Sequence, residues 1–164
     1  RYMDAVVCPD DSKGTGTGII ASELLKKPKY KNLKETHFKY ERPKLGDVVI
    51  TYGEDNPFNM VLHVVIKNNL PQRQHFKPPI KKSIHNILTK ANEWIKVKTI
   101  AIPLFGAELV TEKCWAELFV DSFVAFCYEV KNPNLEEIHI ITHVSSSSAY
   151  STLKKVFCEF AEII

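Results

Sequence analysis

Two kinds of hydrophobic pattern alternate along this chain: short apolar runs, and longer stretches in which apolar residues recur every three or four positions. Asp4-Ala5-Val6-Val7-Cys8 is a run of the first kind that opens into a polar loop, as a buried strand does. Gly18 to Lys27 is of the second kind, with Ile19, Ile20, Leu24 and Leu25 as a helical stripe and Pro28 as its stop. Residues 28–45 are rich in lysine and hold Pro28 and Pro43, so an irregular excursion is expected there. Val48-Val49-Ile50-Thr51-Tyr52 predicts the next strand, and the Asn56-Pro57-Phe58-Asn59 turn leads to another over Met60 to Ile66.

The clearest helix comes next. Ile80, Ile84, Ile87, Leu88, Ala91, Trp94 and Ile95 share one face, with Lys81, Lys82, Asn86, Lys90 and Glu93 on the other. Thr99 to Leu104 has the unbroken apolar character of a strand covered on both faces. Trp115, Leu118, Phe119, Phe123 and Phe126 stripe a helix, Ile138 to Val144 predicts a strand, and Leu153, Val156, Phe157, Phe160, Ala161 and Ile164 stripe a last helix. The serines at 145–148 offer hydroxyls to its N-terminus. No repeat or linker interrupts the alternation, so residues 1–164 are expected to form a single domain. Alternating strands and helices predict an α/β fold, a three-layer α/β/α sandwich around a mostly parallel mixed sheet. Ligands of such sheets bind beyond the carboxyl ends of the strands, which directs attention to the loops after Cys8, Leu104 and His143.

Composition narrows the class further. With 164 residues, 45% hydrophobic and 25% charged, the chain is neither a disordered tail nor a fibre. No apolar run approaches the roughly 18 residues that span a bilayer, and no secretory signal pattern is visible. Cys8, Cys114, Cys127 and Cys158 form no C-x-x-C pair, so reduced, buried thiols of an intracellular protein, cytoplasmic or nuclear, are expected. Nor do they have zinc-ligand spacing. The net charge of +3 suits an anionic ligand without requiring nucleic acid. Lys26, Lys27, Lys29, Lys31 and Lys34 crowd one stretch and Lys77, Lys81 and Lys82 another. A solvated face is the plain reading of the first cluster; nucleic-acid contact is the alternative.

The loop Pro9-Asp10-Asp11-Ser12-Lys13-Gly14-Thr15-Gly16-Thr17-Gly18 runs straight into a helix. Its glycines let backbone amides approach a ligand, and the helix start adds free N–H groups, a combination suited to phosphate. A plain flexible connection would look similar. It is neither a Walker loop nor a G-x-G-x-x-G fingerprint. His139 shares a strand face with His143, but without a third ligand no metal site is expected.

Asp4-Ala5-Val6-Val7-Cys8-Pro9-Asp10-Asp11 followed by Gly16-Thr17-Gly18-Ile19 resembles the macrodomain pattern D-A-(I/V)-V-N-A-A-N followed by G-G-G-V. Val61-Leu62-His63-Val64-Val65 is similar to that family's I-H-x-V strand, and Thr99 to Gly106 to its S-I-A-F-P-A-I-G/S segment. The likeness runs almost the whole chain and is nearest to the later, divergent macrodomains of multi-macrodomain mono-ADP-ribosyltransferases. It implies binding of ADP-ribose, free or on mono-ADP-ribosylated protein. Gly16, Thr17, Gly18 and Ile19 would form the first ligand loop, with Asp11 at the distal ribose. Phe105, Gly106, Ala107 and Glu108 would form the second, and His143 would pack on adenine. The family's adenine-reading acid lies in an edge strand that would precede Arg1.

The departures are specific. Cys8 and Asp11 stand where the family has asparagines, Thr17 replaces a glycine, and Glu108 replaces a glycine that would approach phosphate. A carboxylate about 4 Å from a phosphate charge costs roughly 1–4 kcal/mol at surface-like dielectrics. Three functions follow from these observations. The first is a non-catalytic ADP-ribose reader, with no catalytic residue, metal or cofactor. The second is a macrodomain-shaped module that has lost the nucleotide and contacts protein or nucleic acid. The third is an ADP-ribosyl hydrolase using Asp11 as base.

Overall fold

The computed structural model describes residues 3–16, 18–52, 58–68, 77–107, 109–143 and 145–163. Its elements run β1 (Ala5–Asp11), α1 (Ile19–Leu25), α2 (Pro28–Glu41), β2 (Val48–Tyr52), β3 (Met60–Lys67), α3 (Lys77–Asn92), β4 (Thr99–Pro103), α4 (Glu112–Glu129), β5 (Glu137–Ile141) and α5 (Ser147–Ile163). The strands form one sheet in the order β2-β3-β1-β4-β5. All its neighbours pair in parallel except β2 and β3, which are antiparallel. The mostly parallel mixed sheet expected from the alternation is present.

Strand alternation distributes the core between two faces. Ala5 and Val7 of β1 and Met60, Leu62 and Val64 of β3 meet Ile80, Ile84, Ile87 and Leu88 of α3 and Trp115 and Phe119 of α4; Leu153 of α5 joins them. Val6, Cys8 and Val61 point the other way, onto Ala21 and Leu24 of α1 and Tyr30 of α2. Phe38 of α2 extends that layer over Val49 and Val65. Helices therefore cover both faces, giving the three layers. Asp4 fastens the start of β1 to β4: its carboxylate accepts from the Lys98 and Thr99 amides at 2.8 and 3.0 Å, and its own amide donates to the Thr99 hydroxyl at 2.9 Å.

Several boundaries differ from the sequence expectation. Residues 28–41 are helical, not irregular. Pro28 sits in the first turn, where its missing N–H costs nothing. Tyr30, Lys34 and Phe38 then bury one face at intervals of four. That stripe is disguised because its middle member is a lysine, only 1% exposed. β1 continues to Asp11, carrying two acids into the strand. α3 ends at Asn92, leaving Trp94 and Ile95 beyond it, exposed at 38% and 73%. Of the four cysteines, all free, only Cys8 is buried; Cys127 of α4 and Cys158 of α5 are exposed. The Asn56-Pro57 turn lies outside the described residues. No helix among the described residues is long and apolar enough to cross a membrane.

Candidate functional site

β1, β4 and β5 are parallel neighbours, so the loops that follow them leave the same edge of the sheet. The segment after Asp11, the segment after Pro103 and His143 thus stand side by side, as the topology of such sheets requires of a ligand site.

The first loop folds around its own acids. The Asp11 carboxylate accepts from the amides of Lys13 at 2.8 Å and Thr15 at 3.2 Å, and from the Thr15 hydroxyl. Asp10 accepts from the Gly16 amide at 3.3 Å. This is the Asx-type turn that aspartate builds with amides just ahead of it. Gly14 and Gly16 adopt φ of +68° and +71°. A Cβ on Gly14 would lie 2.7 Å from the Phe38 ring, and one on Gly16 would collide with Leu25, so both glycines let the loop rest on α1 and α2. Gly18 is different. It is exposed, has φ of −81° and no side-chain cap, and a Cβ there would meet only the Pro9 carbonyl oxygen, at 3.8 Å. Ile19 beside it is 78% exposed. Thr17 lies outside the described residues.

In the second loop, Phe105 is turned into the core, edge-on to Trp115 at 5.8 Å between centroids. Gly106 has φ of +74°, and a Cβ there would press on Ile80 at 2.8 Å. The Leu109 and Val110 amides donate back to its carbonyl. Ala107 is exposed; Glu108 lies outside the described residues. His143, also exposed, has Nδ1 accepting from the Ser145 amide at 3.2 Å and lying 2.6 Å from its hydroxyl, which leaves the ring proton on Nε2. Of the expected site residues, Gly18, Ile19, Ala107 and His143 therefore reach the surface of this edge. Asp11 and Phe105 are buried, and Gly16 and Gly106 shape the backbone.

Beneath the first loop lies a polar cluster that sequence reasoning missed. Lys34 pairs with Asp10, and both side chains are almost fully buried. Phe38 presents its ring 5.6 Å from the ammonium. His63 lies with Nδ1 3.3 Å from the same carboxylate, while its Nε2 meets the Tyr30 hydroxyl at 2.6 Å and the Thr51 hydroxyl at 3.0 Å. Burial alone would raise the Asp10 carboxyl, but hydrogen bonds from His63 and Lys34, with the Lys34 charge, hold it below its ordinary value. Burial pushes His63 down despite its Asp10 partner, so the imidazole is neutral. Burial likewise raises the Tyr30 phenol. The order acid, imidazole, hydroxyl is that of a catalytic triad, yet Tyr30, Thr51 and His63 are all interior. Cys8, Asp10 and His63 place potential metal-ligating atoms within 4.8 Å of one another. The Lys34 ammonium already fills the cationic role there, and burial pushes the Cys8 thiol up to about 12, far from the thiolate a metal needs.

Lys34 is thereby withdrawn from the surface cluster expected between Lys26 and Lys34. Lys26 pairs with Glu23 and Lys31 reaches Glu35 at 3.9 Å, while Lys29 is exposed. Its position midway between two aromatic residues, each four places away, was the signal that could have exposed Lys34 as a core residue.

A family model described as "Macro domain" matches residues 7–113, well over half of the chain. The chain belongs to the Macro domain family. Solved structures agree on the fold of this macrodomain. It superposes on an Oceanobacillus iheyensis macrodomain with MES bound at a TM-score of 0.79 and 17% identity, covering 100% of this chain and 88% of that one. The same protein with ADP gives 0.78 and 17%, over 100% and 87%. A Trypanosoma brucei macrodomain in complex with ADP-ribose gives 0.69 and 16%, over 94% of this chain and 63% of that one. No curated protein matches the sequence.

Proposed function

We propose that this macrodomain is a non-catalytic reader of ADP-ribose, free or attached to protein. The observation that carries this reading is the surface formed by Gly18, Ile19, Ala107 and His143 along the edge where β1, β4 and β5 end. Gly18 supplies an open backbone position for a diphosphate, Ile19 an apolar face, and His143 an imidazole able to stack on a base for about 1 kcal/mol. Asp11, Gly16, Phe105 and Gly106 belong to this proposed site as residues that shape it, and Thr17 and Glu108 are assigned to it by the resemblance alone. The Oceanobacillus macrodomain with ADP and the Trypanosoma macrodomain with ADP-ribose support the ligand class.

A second reading, an interaction module that has lost the nucleotide, draws on one observation. The amides of Lys13, Thr15 and Gly16 already serve internal carboxylates, so the phosphate-facing part of the loop shrinks to its last residues. Calorimetry with ADP-ribose separates the two: saturable heat supports the reader, and silence at millimolar ligand leaves the module. Gly18→Glu should abolish binding while leaving the melting temperature unchanged, because its Cβ has room and its φ is ordinary. The hydrolase reading is disfavoured by the Asp11 carboxylate, whose acceptors are committed to Lys13 and Thr15 rather than to a water. Release of ADP-ribose from a modified protein, lost in Asp11→Ala, would establish it.

A further inference from the structure

Further along the same sheet edge, a groove of about 840 Å³ opens where β1 and β3 end beside the C-terminal turns of α2. Its rim carries Lys13 from the loop after β1, Lys39 and Arg42 from the end of α2, Lys44 from the turn before β2, and Lys82 from α3. Glu35 is the single acid of the lining, and it lies 3.9 Å from Lys31. Lys82 is held by the Asp47 carboxylate and the Leu45 carbonyl, at 3.2 and 3.3 Å. Among the described residues, Lys13, Lys39, Arg42 and Lys44 make no ion pair, and all four are exposed. The C-terminal end of a helix dipole attracts cations, which accounts for Lys39 but not for Lys13 or Lys44. Arg42 sits at the helix end with φ of +47°, a conformation that ordinarily selects glycine. Arginine at this position places a guanidinium at the groove at a cost in backbone energy. Leu45, half-buried, lies between the cations, and Phe38 and Pro43 form a buried floor beneath them.

We propose that this groove binds single-stranded nucleic acid along its sugar-phosphate backbone. Four unpaired cations spread over three chain segments match the repeated charge of a phosphodiester strand better than the concentrated charge of one phosphate group. The groove shares only the loop after β1 with the proposed ADP-ribose site, and none of Gly18, Ile19, Ala107 and His143 lines it.

The test is fluorescence anisotropy of the whole chain with a labelled single strand of about 12 nucleotides, within the range of single-strand site sizes. With four phosphates neutralised, affinity should fall about 50-fold between 50 and 200 mM salt, from a slope of roughly −0.7 per phosphate. The combined variant Lys39→Glu, Arg42→Glu, Lys44→Glu should weaken binding at least about tenfold and flatten the salt slope. Lys26→Glu, Lys29→Glu, Lys31→Glu makes the same change of charge elsewhere and should leave most of the binding intact, as should Gly18→Glu. Lys13→Gln with Lys44→Gln, both outside helices, gives a milder loss and stands in if the first variant unfolds. Absence of binding at low salt, equal loss in the two triple variants, or a singly phosphorylated peptide binding as tightly as the oligonucleotide would overturn the assignment.

Discussion

Lys34 and Asp10 show how one buried charge is stabilised by another. Their side chains are 1% and 0% exposed, so neither is compensated by water. Removing one member of such a pair strands the other, at about 3–5 kcal/mol. Lys34→Met should therefore lower the unfolding free energy by that amount in urea titrations. Adding Asp10→Asn to it should recover much of the loss, since the stranded charge is then gone. Recovery failing altogether would mean that Lys34 acts through its aliphatic stem, packed on the α1/α2 side, rather than through its charge. The same pair bears on the surface site, because Asp10 also accepts from the Gly16 amide and so ties the interior cluster to the loop above it.

At the scale of elements, α2 matters most, because it forms the layer on which the first loop rests. Its start follows from Pro28, and its buried face of Tyr30, Lys34 and Phe38 follows from helical spacing. Its end is less comfortable: Arg42 closes the helix in the left-handed region, its amide donating to the Phe38 carbonyl at 3.0 Å. Glycine adopts that conformation without the Cβ clash, so Arg42→Gly should stabilise the fold by about 0.5–1 kcal/mol, after allowing for the greater freedom of glycine in the unfolded chain. It should also weaken oligonucleotide binding. A rise in melting temperature with a fall in affinity is the expected pair of outcomes; a fall in both would show that the arginine side chain itself supports the helix end.

For the whole molecule, the buried cluster sets a pH dependence. His63 stays neutral when folded, its affinity for a proton lowered below the ordinary 6.5 by burial. As pH falls through 6.5 the unfolded chain takes up a proton at this residue that the folded chain refuses, so the unfolded state binds more protons and stability declines. The contribution approaches about 1.4 kcal/mol per pH unit. Asp10 acts in the same direction at lower pH. Its folded value is below 3.8, so the stability it lends is full above that pH and is lost as pH falls through the folded value. Unfolding free energy measured across pH should thus fall in a first step below about 6.5 and a second below about 4. His63→Gln should remove the first step and leave the second.

Much of this architecture is legible in the sequence. The alternation of apolar runs with three-to-four periodicity located β2, β3, β4, α3 and α4 closely, because each buries a regular face that only apolar residues can fill without partners. The glycines at 14, 16, 18 and 106 marked the loops at one sheet edge, since their spacing and the parallel order of strands are local consequences of the chain. What local pattern could not decide was which charges go inside. Asp10 and Lys34 read as loop and surface residues because burial of a charge depends on a partner distant in sequence, and that partner is supplied only when α2 crosses the end of β1. The same tertiary step gathered Lys13, Lys39, Arg42 and Lys44 around one groove, while Asp11, expected at the ligand, organises its own loop through donors two and four residues on. The sequence determined the layers and the sheet edge from which the glycine-bearing loops leave. The tertiary structure decided which loop amides remain available, because hydrogen bonds to buried carboxylates are settled by packing and not by periodicity.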